Sequence, residues 1–255
     1  MQFKKWVVIA STCILLGFLP SCRSYVRLNP RTEQLEVYIP AGEFTYGQAP
    51  ENTPGSVFAL QMARAELPGY WISRTQVTNA QYRKCVTAGA CNYPIGPELN
   101  PYYYLPEYAN HPVVYITWYQ AQDFCMWAGG RLPHELEWEK AARGENANSF
   151  PWGEEDNIPV RAQVGRDLFQ DSTVAVGSFS QGHSPYDVLD MGGNVREWID
   201  DWFDEGHVVL RGAAWYDPPV YSLTYTRLSH EPGSGGHGRG FRCVSDGFLL
   251  TSWGQ

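Results

Sequence analysis

The sequence predicts a mixed α+β chain with little regular secondary structure, and three observations carry that expectation. Charged residues make up only 18% of the chain, too few for a bundle of solvent-exposed helices. The 25 Gly and 18 Pro punctuate it so densely that most elements must be short. The 10 Trp and 16 Tyr supply large apolar faces that let loops pack without long helices or wide sheets. A length of 255 residues suits one large domain or two small ones, and no obvious linker divides the chain.

The elements follow in order. Lys4 and Lys5 precede an apolar run from Trp6 to Leu19, too short for a comfortable membrane span and typical of a secretory signal over residues 1–21. The ending Leu19-Pro20-Ser21-Cys22 resembles a bacterial lipobox, which implies an acylated Cys22 holding the mature chain to a membrane surface. Arg23, not Asp, follows it and argues against inner-membrane retention. Residues 22–34 are polar and read as a tether. LEVYIPAGEFTYGQ (35–48) alternates β-type residues and meets Gly, a strand and turn. GYWISRTQVTNAQYRKCVTAG (69–89) begins as a strand and becomes a helix near Thr78 or Asn79, either of which can cap. Residues 92–112 form a Pro- and Tyr-rich loop. Residues 113–130 read as a strand leading into a helix stopped by Gly129-Gly130, and residues 131–145 hold a second helix after Pro133. Residues 149–179 read as loops with short strands, and 184–203 as a turn followed by a short amphipathic segment. VVLRGAAW (208–215) and GFRCVSD (240–246) read as strands, and 249–255 as a tail.

The formal charge of −8, with no basic cluster, argues against a nucleic-acid partner. It fits an extracytoplasmic domain of the cell envelope. Beyond Cys13 and Cys22, four thiols remain, Cys85, Cys91, Cys125 and Cys243, and in an oxidising compartment they more often pair than stay free. Three pairings are possible. Cys85 and Cys91 flank Gly89 and close a local loop easily. A soft-metal or redox role for that pair is the alternative, but no His lies near it.

Several segments together resemble one family. PVVYITWYQAQDFCMWAGGRLPHELEWEKAARG (112–144) is similar to the signature of formylglycine-generating enzymes, or sulfatase-modifying factor domains. FPWG, MGGNVREW, RGAAW and GFRC follow in the family's order, so that the resemblance covers residues 35–248. It implies a single compact domain with a C-type-lectin-like variant of the α+β class. It also implies a Cys125–Cys243 disulfide, leaving Cys85 with Cys91. The founding members oxidise a protein Cys to formylglycine with copper and dioxygen, holding the copper on two thiolates after the RGAAW-like motif. Here the counterpart positions carry residues such as Tyr216, Asp217, Pro219 and Ser222, with no thiol between Arg211 and His230. Copper(I) prefers soft thiolates, so a copper site of that design is not expected. The resemblance further implies two calcium sites. One comprises Asn157, the Ile158 carbonyl, Asp167 and the Phe169 carbonyl. The other comprises Asp190, the Gly193 and Val195 carbonyls and Glu197. These are the hard oxygen donors calcium takes, competing with a plain capped turn at each loop.

The functional expectation is a surface-tethered binding or assembly module, a pseudoenzyme whose partner is a peptide, a glycan or an envelope protein. Its cleft is expected to be lined by Trp215, Tyr216, Asp217, Tyr221, Tyr225 and Arg227, with packing in the core as the competing explanation for each aromatic. The alternative is an oxidase of the family with a rearranged site, for which Asp217 and Tyr225 are the acid–base candidates. His134 stands where the family commonly has Thr and reads as a surface or capping residue. Arg196 replaces an aromatic and is expected to alter the surface only.

Overall fold

Residues 26–34, expected as tether, are built into the fold. Val26–Leu28 pairs antiparallel with Leu35–Ile39. Between them, Asn29 Oδ1 accepts from the backbone N–H groups of Arg31 and Thr32, and its Nδ2 donates to Glu36 Oε1 at 2.8 Å. Arg27 donates to Glu36 at 2.6 Å and lies 4.3 Å from the centre of the Trp71 ring. Polar composition hid this strand, because its pairing rests on backbone and ion-pair contacts and not on an apolar alternation. The computed structural model describes residues 25–247, apart from residues 56, 97–100, 155–156, 169 and 171. The expected signal, the expected lipid site Cys22 and the tail 249–255 lie outside the described residues.

The strands in chain order are β1 (Val26–Leu28), β2 (Leu35–Ile39), β3 (Gly42–Tyr46), β4 (Ala63–Leu67), β5 (Tyr70–Ser73), β6 (Arg196–Trp202), β7 (Val208–Arg211), β8 (Arg227–His230), β9 (Arg239–Gly240) and β10 (Val244–Asp246). Three helices stand among them, α1 (Asn79–Thr87), α2 (Trp118–Ala128) and α3 (Glu135–Arg143). One sheet runs β1-β2-β5-β10, a second runs β8-β7-β6-β9, and β3 pairs with β4 alone. The expected helices form where they were read. Thr78 and Thr117 each cap a helix through a capping box closed by the Gln three residues on, and Gly129 ends α2 with φ 92°. Residues 113–117, expected as a strand, run into α2 without strand pairing. The amphipathic segment within 184–203 is the strand β6.

Strand β6 divides the interior. Its period of two sends Trp198 into a core with Tyr82, Phe124, Leu210 and Phe241, and Ile199 into another with Ile39, Ile72, Trp138 and Val209. The Cys125–Cys243 disulfide joins α2 to the chain entering β10, and Cys85–Cys91 closes the loop after α1. The fold is the expected α+β arrangement, a C-type-lectin-like variant with short elements and long loops.

Candidate functional site

The six expected cleft residues do not line one surface. Tyr225 is buried with Val57 and Leu223, and Arg143 lies 5.8 Å from its ring centre. Arg227 grips Glu135 through two hydrogen bonds of 2.6 and 2.9 Å. Both therefore belong to structure, which removes Tyr225 as an acid–base candidate. Tyr221 packs partly buried against the buried Val164 and Ala213. Trp215, Tyr216 and Asp217 remain together, but Trp215 and Asp217 are buried in the interior and only Tyr216 of the three is partly exposed.

Arg227 belongs to a buried network that absorbs most of the motif charges. Arg211, of the RGAAW motif, donates to Glu135 at 2.9 Å, Glu139 at 2.7 Å and the Thr224 carbonyl at 2.6 Å. Glu139 also accepts from Arg143 at 2.8 Å and from the Gly47 backbone N–H at 2.7 Å. Glu137 closes the first turn of α3, accepting from the His134 N–H at 2.7 Å and from Arg131. His134 is thus a cap position, as expected. Buried charges persist only when paired and hydrogen-bonded, so these residues fix α3 against the second sheet and are not free for chemistry.

The remaining cleft residues centre on Asp217. Arg196 Nε donates to Asp217 Oδ2 at 2.7 Å, and its Nη2 bonds the other oxygen. The Ala214 backbone N–H adds a third bond to Oδ2 at 2.7 Å. The carboxylate is buried and fully occupied, so Asp217 is not a free base. Arg196 therefore does more than alter the surface: it neutralises the charge that the RGAAW loop introduces. Ser222 Oγ, at another counterpart position, is buried without a hydrogen-bond partner among the described residues. Neither side chain offers the soft donor that copper(I) needs, so these residues do not fit that metal.

Around the ion pair stand residues that motif reading missed. His237 is exposed, with its ring 4.8 Å from that of Tyr216 and 6.2 Å from that of Trp215. Tyr115 approaches the same imidazole at 6.3 Å. A side chain at Gly238 would strike Tyr216 Oη at 2.5 Å, so glycine is required for this approach. Burial pushes the Tyr216 hydroxyl above its ordinary range, partly opposed by the two neighbouring guanidiniums of Arg196 and Arg239. Partial desolvation of its ring and the same guanidiniums hold His237 below the usual imidazole value. The only sequence signal was a His and an Arg inside the Gly-rich run 233–240.

The two expected calcium sets differ. In the first, Asn157 and Asp167 are exposed, the Ile158 carbonyl already accepts from Arg161 and Ala162, and Phe169 lies outside the described residues. In the second, the carbonyls of Asp190, Gly193 and Val195 and Glu197 Oε1 converge on one point, at 3.3, 3.0, 3.2 and 3.0 Å from Gln76 Nε2. An amide nitrogen has two hydrogens for those four acceptors, while the amide's own Oε1 is buried without a partner. Amide orientation is an assignment, and turning this one over would aim a fifth oxygen at the same point. The donor set fits a hard cation such as calcium, with Gln76 as a member the motifs did not reveal. Asp190 meets this point through its carbonyl, while its carboxylate Oδ2 accepts from the Gly177 N–H at 2.7 Å. Glu197 supplies the charge, shared with Arg242 at 2.6 and 2.7 Å and with the Trp138 indole N–H at 2.7 Å.

Fold and motif network together define a sulfatase-modifying factor domain. Residues 24–247 match the model of the sulfatase-modifying factor enzyme 1-like domain, and the chain belongs to that family. Among curated relatives, it is 29% identical over 263 residues to the serine/threonine-protein kinase Pkn1 of Chlamydia trachomatis, covering 88% of this chain and 40% of that protein. It is 36% identical over 152 residues to the inactive C-alpha-formylglycine-generating enzyme 2 of Bos taurus, covering 52% of this chain and 50% of that one. The chain thus spans half or less of the length of these two curated relatives. The solved structure of PvdO from Pseudomonas aeruginosa superposes with a TM-score of 0.67 at 23% identity, covering 86% of this chain and 97% of PvdO. The variable protein 1 of Treponema denticola gives 0.69 at 20% identity, covering 86% and 98%.

Proposed function

We propose that this chain is a binding module of its family, tethered at a bacterial cell envelope by a lipidated Cys22. Its cleft around Tyr216 and His237 takes a peptide, a glycan or an envelope partner protein. The observation that carries the reading is the Arg196–Asp217 ion pair. Asp217 stands in the segment where the founding members present their copper thiolates, and its carboxylate accepts three hydrogen bonds, two from Arg196 and one from the Ala214 N–H. The relative from Bos taurus that bears the word inactive in its name supports the same direction by analogy.

In this reading calcium holds the second loop, from Asp190 to Glu197, with Gln76 opposite. Chelation of the purified protein is expected to lower its melting temperature, and readdition of calcium to restore it. An unchanged melting temperature sinks the calcium assignment without touching the cleft. The cleft itself is tested on glycan and peptide arrays, with the wild type beside Tyr216→Ala and His237→Ala. Ligands retained by the wild type and lost by both folded variants support the module. Ligands bound equally by all three move the binding surface elsewhere.

A further inference from the structure

The surface around Tyr216 and His237 carries more positive charge than Asp217 neutralises. Strands β6 and β9 run parallel and pair Arg196 directly with Arg239. In-register partners on adjacent strands share a face, and like charges so placed repel. Asp217 is spent on Arg196. Arg239 has no carboxylate partner among the described residues. Its Nη2 donates to Ser234 Oγ at 3.3 Å and to the Gly235 carbonyl, and its Nε is buried without a partner. The guanidinium lies 5.9 Å from the centre of the Trp198 ring, whose buried face keeps it from moving inward. Two imidazoles flank it. His237 stacks on Tyr216, and His230, at the end of β8, has a buried Nδ1 without a partner.

The groups facing this point are Arg196, Arg239, His230, His237, Tyr216 and Asp217, with exposed Glu231 beside His230. Only Asp217 and Glu231 are acidic. A half-buried guanidinium with an unsatisfied N–H, held against a second guanidinium, is costly unless an anion completes it. The fork of an arginine matches a planar carboxylate, which also accepts from neutral imidazole N–H groups.

Building on the binding-module reading, we propose that Arg239, with His230 and His237, forms an anion subsite of the cleft that recognises a carboxylate on the ligand. The carboxylate is either the C-terminus of a peptide or the acid group of a uronic sugar.

Four probes separate these sources: a short peptide with a free C-terminus, the same peptide amidated, a galacturonate oligomer and the matching neutral galactose oligomer. Each is titrated by calorimetry into the wild type and into Arg239→Gln. One acid form is expected to bind the wild type at least ten-fold tighter than its neutral counterpart, and the preference to vanish in Arg239→Gln. The pair that shows it names the source. Equal binding of acid and neutral forms overturns the subsite but leaves the binding module standing, as does a preference that survives the substitution. No saturable binding by either acid form also overturns the subsite, whereas the module is judged on its arrays. Melting temperature gives the second readout. If Arg239 serves a ligand, Arg239→Gln without ligand keeps or raises the melting temperature at low salt, since it removes a like-charge neighbour. A fall of several degrees makes Arg239 a structural residue and overturns the proposal.

Discussion

Gln76 shows how a single side chain can carry a site that motifs do not advertise. Its amide meets four oxygens from the 190–197 loop, one of them Glu197 Oε1, which also accepts from Arg242. Calcium affinity rises with the number of charged ligands. Gln76→Glu is therefore expected to bind calcium about ten-fold or more tightly than wild type. The variant should also lose more stability than wild type in chelator, where two buried carboxylates face each other. Melting curves with calcium and with chelator check this. A variant with no larger gap between the two curves than wild type contradicts the cation assignment. Residue-scale legibility was uneven. Asp190, Gly193, Val195 and Glu197 came from the family resemblance of DMGGNVRE, a contiguous motif. Gln76 did not, because it comes from a loop more than a hundred residues away. Tyr225 and Arg227 were misread for the opposite reason: aromatics and Arg near a motif look like a cleft until their partners, Arg143 and Glu135, are known.

Elements are short, so covalent and ionic ties do work that long helices do elsewhere. Cys125–Cys243 spans 118 residues and links α2 to the chain entering β10, while Cys85–Cys91 spans 6. In the chain-entropy account the longer loop contributes roughly 5 kcal/mol and the shorter roughly 2 kcal/mol. Replacing Cys125 and Cys243 together by Ala should therefore destabilise the domain far more than replacing Cys85 and Cys91. Denaturant unfolding measures both, and equal losses would show that native-state strain or residual structure dominates. Helices α1, α2 and α3 were legible because capping residues and terminal glycines mark them locally. Strands β1 and β4 were not: ARAEL and VRL are polar and half-exposed, and only their pairing partners make them strands.

For the whole molecule, the family motifs encode architecture more than chemistry. Arg211, Glu135, Glu139, Arg143, Glu197 and Arg242 are buried and mutually bonded, which is why the fold could be inferred from them while the activity could not. The same integration reaches the N-terminal segment. A chain starting at Tyr25 should melt like one starting at Cys22. A chain starting at Leu35 loses β1 and the Asn29 turn, and it should melt at least several degrees lower; equal melting of all three would return residues 26–34 to the role of tether. Between Arg211 and His230 the chain has no thiol, and Asp217 in that segment is locked to Arg196 of β6. The most direct test loads the disulfide-bonded protein with copper(I) and incubates it with dioxygen and a peptide carrying the sulfatase Cys motif, read by mass spectrometry. The account predicts that the peptide Cys remains intact. Copper-dependent conversion of that Cys to formylglycine would contradict it.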